Sequence, residues 1–315
     1  MSSLELRFDV QAEVVDLPRG AFHKTPRTYV TFDGRPVLGL SQNDNRAYLF
    51  PVCTPAGVAV TSESPTDHPH HNSVWIGADH VTALLPFGSD NESRFEEATY
   101  SFYINQTFQG RAAGRIVARS LEHHSNDKHQ LQLLQSLEWI GPPEWGAPDG
   151  RTVAREQRTT SLRFVDGDTD GQAAFLIDVV STLSPTEWSL KIGPTRHAFF
   201  GIRLVEPLRP ALGGQLAGPG GPTSVADLVG KSGPWVQASA DVVAGHTAGI
   251  VVVRDQQTRE MPWSLYEWGT IDVNPLVSHT HELAQDDSLT CRLKLIVHDG
   301  QYSTEQIDRL TRLQA

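Results

Sequence analysis

The run Asp67-His68-Pro69-His70-His71-Asn72-Ser73-Val74-Trp75, followed by Asp79-His80, holds the densest set of reactive side chains in the sequence. Imidazole titrates near neutrality and offers both a donor and an acceptor. Several histidines beside a carboxylate therefore suit general acid/base work, metal ligation or the binding of a polyhydroxylated ligand. In an extended backbone His68 and His70 point one way and His71 the other, while Pro69 bends the run toward polyproline geometry. A lone histidine such as His23 or His246 is more often a solvated or core-satisfied residue. Three in four residues beside Asp67 are harder to assign to that role. A second pair, His279-x-His281, has the spacing that puts two imidazoles on one side of a strand. His68, His70, His279 and His281 are thus the candidate ligands of a divalent metal, with Glu156 or Asp79 as a third group leaving one position open. No cofactor is fixed by the sequence.

Strands are the elements that must position these groups. From Leu289 to Val297, Leu289, Cys291, Leu293, Leu295 and Val297 fall on one face, with Thr290, Arg292 and Lys294 on the other, a half-buried strand. Similar runs cover 27–32, 100–107, 131–140, 160–165, 174–183, 187–192 and 249–254, each closed by turn-forming residues. Without helical crossovers between them, these runs predict an all-β fold built from large antiparallel sheets, a β-sandwich with few short helices. The tail from Ser303 is the exception: Ser303 and Gln306 form a capping box, and Ile307, Leu310 and Leu313 mark one stripe of a C-terminal helix. Two stretches, 51–86 and 206–235, resist a strand reading. The second carries seven Gly and five Pro in thirty residues and reads as a functional excursion, either a lid or a dimer interface.

With 315 residues and no linker or repeat, the chain reads as one domain spanning 1–315. Its 26 Lys+Arg against 37 Asp+Glu, a formal net charge of −11, exclude nucleic acid as a partner. No stretch approaches the roughly 18 apolar residues of a spanning helix, and the N-terminal residues show no basic region followed by an apolar one, so the expectation is a cytoplasmic protein without membrane contact. Two cysteines, Cys53 and Cys291, cannot build a disulfide framework. Nucleophile-elbow, dinucleotide-binding and phosphate-loop patterns are missing, which argues against serine hydrolases and nucleotide cofactors.

The stretch Tyr48-Leu49-Phe50-Pro51-Val52-Cys53-Thr54-Pro55-Ala56-Gly57, then Asp67-His68-Pro69-His70-His71 and Val74-Trp75, resembles the signature of the PmoA-like family. Further matches are Trp145 with Glu156-Gln157-Arg158-Thr159, Gly201-Ile202-Arg203, Trp235, and Trp268-Gly269 with Asn274-Pro275. The resemblance runs from about residue 48 to residue 300. The methane-oxygenase label attached to that family fits poorly with a chain lacking a spanning segment. Family members follow the two histidines with Arg-Gly where this sequence has Asn72-Ser73. They carry an Arg near Tyr266 and a Lys-Glu-Gly-Gly stretch in place of Arg196-His197-Ala198-Phe199. A second, six-residue similarity, Arg196-His197-Ala198-Phe199-Phe200-Gly201, is to the sugar-binding histidine run of galactose-mutarotase-like aldose epimerases, and it implies a β-supersandwich.

Together these readings point to an enzyme acting on a carbohydrate-derived small molecule by proton transfer: an epimerase, mutarotase, isomerase or lyase. His70 or His71 with His197 supply acid and base, and Glu156 or Glu267 the partnering carboxylate. Asp67, His68, Trp75, Asp79, His80, Arg158, Arg203, Trp235, Tyr266 and Asn274 are the expected substrate contacts, the tryptophans by stacking on a sugar face. The alternatives are a metal-dependent lyase or oxygenase and a non-catalytic carbohydrate-binding sandwich. A homodimer is compatible with the strand edges.

Overall fold

The computed structural model describes residues 7–14, 26–87, 94–144, 146–167 and 173–315. Three sheets carry nearly all of the regular structure. An eight-stranded sheet runs in the order Phe8–Val14, Pro26–Phe32, Arg35–Gln42, Ala47–Val52, Val74–Ala78, Ala198–Arg203, Thr270–Val273, Ser264–Tyr266. A nine-stranded sheet runs Gly221–Thr223, Gln215–Gly218, Trp235–Val243, His246–Val253, Leu289–Asp299, Ala174–Pro185, Thr152–Val165, Gln130–Ile140, Arg115–Asp127. A smaller third sheet joins His281–Leu283, Leu190–Ile192, Val81–Phe87, Arg94–Ser101 and Ala112–Ala113. Pairing is antiparallel throughout these sheets except between Arg94–Ser101 and Ala112–Ala113. The protein is an all-β sandwich, as the period-two runs predict.

Alternation decides which side chains meet. In the eight-stranded sheet one row of partners reads Leu40, Leu49, Val74, Ile202, Ile271, Leu265, and every member lies in the core that packs against the larger sheet. The adjacent row reads Arg27, Ser41, Tyr48, Trp75, Gly201, Asp272, Ser264, and the row beyond it Arg203, Thr270, Tyr266. One face of the sheet is therefore hydrocarbon, and the other is a polar and aromatic platform.

The outer face of the nine-stranded sheet buries Leu176, Trp235, Val251 and Ile296 under Ile307 and Leu310 of the C-terminal helix Thr304–Thr311, whose capping box from Ser303 and Gln306 is present as expected. Among the described residues no helix is long and apolar enough to cross a membrane.

Three local expectations change. The run 100–107 is strand only to Ser101, because the chain then leaves the sheet as a loop carrying Tyr103. Strand Val74–Ala78 and all but the last residue of Val81–Phe87 lie inside the 51–86 stretch; buried on both faces at Val74–Ala78, the first lacks the alternation that would reveal it. The 206–235 excursion is mostly ordered: two single-turn helices, then the hairpin Gln215–Gly218 and Gly221–Thr223, which extends the edge of the larger sheet. Its glycines and prolines form turns, with Gly213 (φ 96°) and Gly221 (φ 99°) in conformations that disfavour a side chain. Trp145 and His23 lie outside the described residues.

Candidate active site on the polar face of the eight-stranded sheet

The histidine segment is a closed loop over this platform. Its neck is held by the Glu63–Asn72 bridge and by the Ser64 N–H bonding the His71 carbonyl at 2.9 Å. Its tip turns so that the His71 N–H reaches the His68 carbonyl at 2.9 Å. The turn replaces the extended geometry expected from sequence and lays His68 on His71, ring centroids 4.6 Å apart at 11°. The stack continues both ways. His71 lies on Trp75 (4.8 Å, 18°), His68 on Trp268 (5.3 Å, 20°), and Trp268 on Tyr266 (4.4 Å, 13°), giving a column of five rings. Its base is seated by Gly201, where a Cβ would stand 2.0 Å from the Trp75 indole. His70 leaves the column and meets His71 edge-on at 4.5 Å and Tyr103 at 5.2 Å.

Three carboxylates around the column are paired with arginines. Arg203, fully buried, grips both oxygens of Asp67 at 2.7 and 2.5 Å. Burial tends to raise the Asp67 carboxyl, and the bonds from Arg203 and His68 more than reverse this, holding it well below the usual range. Arg111 does the same for buried Asp79, with bonds of 3.1 and 2.9 Å. His197 Nδ1 lies 3.3 Å from Asp79 and His80 Nδ1 3.4 Å from it. With hydrogen bonds from His197 and Arg111 outweighing burial, the Asp79 carboxyl also sits low. A third pair joins Arg27 and Glu63, with the Tyr48 hydroxyl also donating to Glu63.

A chain of hydrogen bonds runs through the histidines. Arg203 donates to Thr270 Oγ1 (3.3 Å), Thr270 Oγ1 meets His71 Nδ1 (3.2 Å), and His71 Nε2 meets the Tyr103 hydroxyl (3.1 Å). Both ring nitrogens of His71 are satisfied if Thr270 donates to Nδ1 and the ring proton sits on Nε2. Burial, reinforced by neighbouring cationic and imidazole groups, pushes His71 down to about 2 and His70 down to about 4, so both rings are neutral near pH 7. The His70 ring nitrogens make no hydrogen bond among the described residues, which leaves them available to a ligand. Tyr103 stacks on His197 at 4.8 Å, and burial raises its phenol. His197 is further fixed by Arg196, which donates to its Nε2 at 3.2 Å, and by its own N–H on Thr195 Oγ1 at 3.0 Å.

Of the residues expected from sequence, Asp67, His68, His70, His71, Trp75, Asp79, His80, His197, Arg203 and Tyr266 gather here. Asn274 is a supporting residue: its side chain bonds the Thr195 carbonyl at 2.7 Å and the Leu276 N–H at 2.8 Å, bracing the loop that carries His197. Glu156 and Arg158 do not join them. They form a buried pair inside the sandwich, where Trp139 Nε1, Ser181 Oγ and Arg158 together saturate the Glu156 carboxylate. Trp235 and Glu267 line a different cleft of about 600 Å³ beside the C-terminal helix, and the Trp235 Nε1 donates to Asp308. His279 and His281 lie 5.3 Å apart, with His279 bonded to Ser278. Among the described residues no three His, Cys, Asp or Glu side chains converge in metal-binding geometry.

Sequence reasoning missed Tyr103, Arg111, Thr270, Ser264 and Asp272. Asp272 was legible in principle, as the polar residue between Ile271 and Val273 in a strand whose alternate positions are apolar. Tyr103 and Arg111 sit on the irregular 102–111 loop and carry no such signal.

The protein is thus an all-β sandwich with a histidine-centred polar cluster on one face of the eight-stranded sheet. It belongs to a family of unknown function, DUF6807, whose model matches residues 27–312. No curated protein matches the sequence. Among solved structures, a polysaccharide lyase is similar with a TM-score of 0.32 and 10% identity, over 98% of this chain and 35% of that one; the chain spans about a third of that structure's length.

Proposed function

We propose that this protein is an enzyme that moves a proton on a carbohydrate-derived small molecule, as an epimerase, isomerase, mutarotase or lyase of a sugar or keto-sugar. The supporting observation is the convergence of His70, His71, His197 and Tyr103 on one face, with two of the imidazoles held neutral by burial and His70 unbonded. A neutral imidazole with a free nitrogen can take a proton from the carbon beside a carbonyl, while an acidic group protonates the oxygen where charge accumulates. The six-residue resemblance of Arg196-His197-Ala198-Phe199-Phe200-Gly201 to mutarotase-like epimerases agrees with this chemistry. The edges of the ring column give a sugar ring an apolar wall, with Trp268, 38% exposed, nearest to solvent.

The test is an NMR screen of aldoses and keto-sugars in deuterium oxide. Deuterium entering at carbon is the expected result. Exchange of anomers without it identifies a mutarotase, and the absence of either across the panel refutes the reading.

A further inference from the structure

Three of the carboxylates at this face are held by arginines: Glu63 by Arg27, Asp67 by Arg203 and Asp79 by Arg111. No arginine among the described residues holds Asp272. Among the described residues its carboxyl receives one hydrogen bond, from Ser264 Oγ to Oδ2 at 3.2 Å, and Oδ1 has no partner. Ser264 Oγ also lies 3.3 Å from the Tyr266 hydroxyl. In the sheet, Asp272 sits opposite Gly201, whose missing side chain is covered by the Trp75 indole, so the carboxyl borders the base of the ring column. The ionisable groups facing it are phenols: Tyr266 from the neighbouring strand, and Tyr103 from the 102–111 loop, whose hydroxyl field contains Asp272, Arg46, Tyr266 and Asp79. Tyr103 also touches His71 and His70, so Asp272 and the unbonded imidazole border one phenol.

We infer that Asp272 is the proton donor of this site and that the substrate atom it meets is an uncharged hydroxyl or carbonyl oxygen. A carboxylate or phosphate group placed there would face an acidic side chain with no compensating cation. The assignment deepens the enzymatic reading above and rests on it. In the step it serves, His70 takes a proton from the carbon beside a carbonyl, the C–H electrons move into the carbon framework, and the Asp272 O–H transfers its proton to the carbonyl oxygen. This leaves an enol, a protonated His70 and a carboxylate that keeps the Ser264 hydrogen bond. Return of the two protons regenerates both groups, and no co-reactant is consumed. Asp272 is half-buried, and its desolvation without a counter-charge supports the role by pushing the carboxyl up to about 7, with Ser264 offsetting this only in part.

The experiment has two arms. In the first, carbon-13 NMR titrates the aspartate carboxyls of the intact protein, with Asp272→Asn assigning the resonance. Titration near neutrality is expected, moving to higher pH in Ser264→Ala because the anion loses its donor; titration near 4 overturns the assignment. In the second, turnover of a sugar identified by the deuterium screen is followed against pH. Asp272→Asn is expected to lower kcat by about 10²-fold or more with KM little changed, and wild-type kcat in that variant overturns the assignment. Should Asp272→Asn fail to fold by circular dichroism, Ser264→Ala decides, because its basic limb must move up in pH. A carboxyl near 4 in a protein that does turn sugars over removes Asp272 alone. A carboxyl near 7 in a protein that turns over none of the panel overturns the enzymatic reading, and the proton donation with it.

Discussion

The sharpest structural test is the smallest substitution, Gly201→Ala. The added Cβ would stand 2.0, 2.3 and 2.5 Å from Cζ2, Cε2 and Cη2 of Trp75, where carbon atoms normally approach to about 3.5–4.0 Å. The indole must therefore withdraw by roughly 1.5 Å, yet it is buried and carries the His71 ring 4.8 Å away. Overpacking of this kind costs about 1–3 kcal/mol. Loss of one stacked pair adds about 0.5–1.5 kcal/mol, and the reduced freedom of the unfolded chain returns about 0.5 kcal/mol. The net expectation is about 2–3 kcal/mol of destabilisation. Scanning calorimetry should show it as a Tm lowered by roughly 4–10 °C, together with loss of deuterium incorporation. Gly220→Ala is the control, since nothing lies within 4 Å of its Cβ position. A Gly201→Ala protein that melts like Gly220→Ala and keeps full turnover would refute the claim that the column is seated on Gly201.

Further outcomes follow from the same contacts. Tyr103→Phe removes the partner of His71 Nε2 and should lower kcat about 10–100-fold while costing about 1–3 kcal/mol of stability, measured by kinetics and urea unfolding. Glu156→Gln should do the reverse, losing about 3–5 kcal/mol in urea unfolding because it breaks a fully buried ion pair, with kcat per folded molecule unchanged. His71 and His298, buried and pushed down to about 2 and about 4, are neutral in the folded state, whereas their unfolded forms take up protons below about pH 6.5. Their contribution is complete above that pH and lost below it, so stability should fall by about 3 kcal/mol per pH unit between about pH 6 and pH 4. Urea midpoints that stay flat across that interval would contradict this.

The strands and their hydrophobic faces were written in the sequence because alternation is a local property: Leu289 to Val297 and the capping box at Ser303 carry their own signal. The histidine loop was legible as a dense cluster. What could not be read was pairing between distant segments. Glu156 and Asp272 are both acidic residues in strands, and nothing local says that Trp139, Ser181 and Arg158 surround the first while, among the described residues, no cation reaches the second. The 206–235 stretch misled for a related reason. Glycine and proline mark turns whether those turns open a mobile loop or close an ordered hairpin, and only the partner strand Trp235–Val243 distinguishes the two.

The two rows of the eight-stranded sheet have a genetic consequence. Along Ala198–Arg203 and Thr270–Val273, Phe200, Ile202, Ile271 and Val273 look into the sandwich, while Gly201, Arg203, Thr270 and Asp272 look outward at the histidine cluster. A saturation scan read out separately for abundance and for turnover should therefore split these strands into interleaved columns, one set tolerant only of apolar residues and the other, apart from Gly201 under the Trp75 indole and the buried Arg203, freer to diversify without unfolding the protein. Such a surface can exchange its substrate through few substitutions, because the residues that recognise a ligand and those that hold the fold share a backbone but not a face.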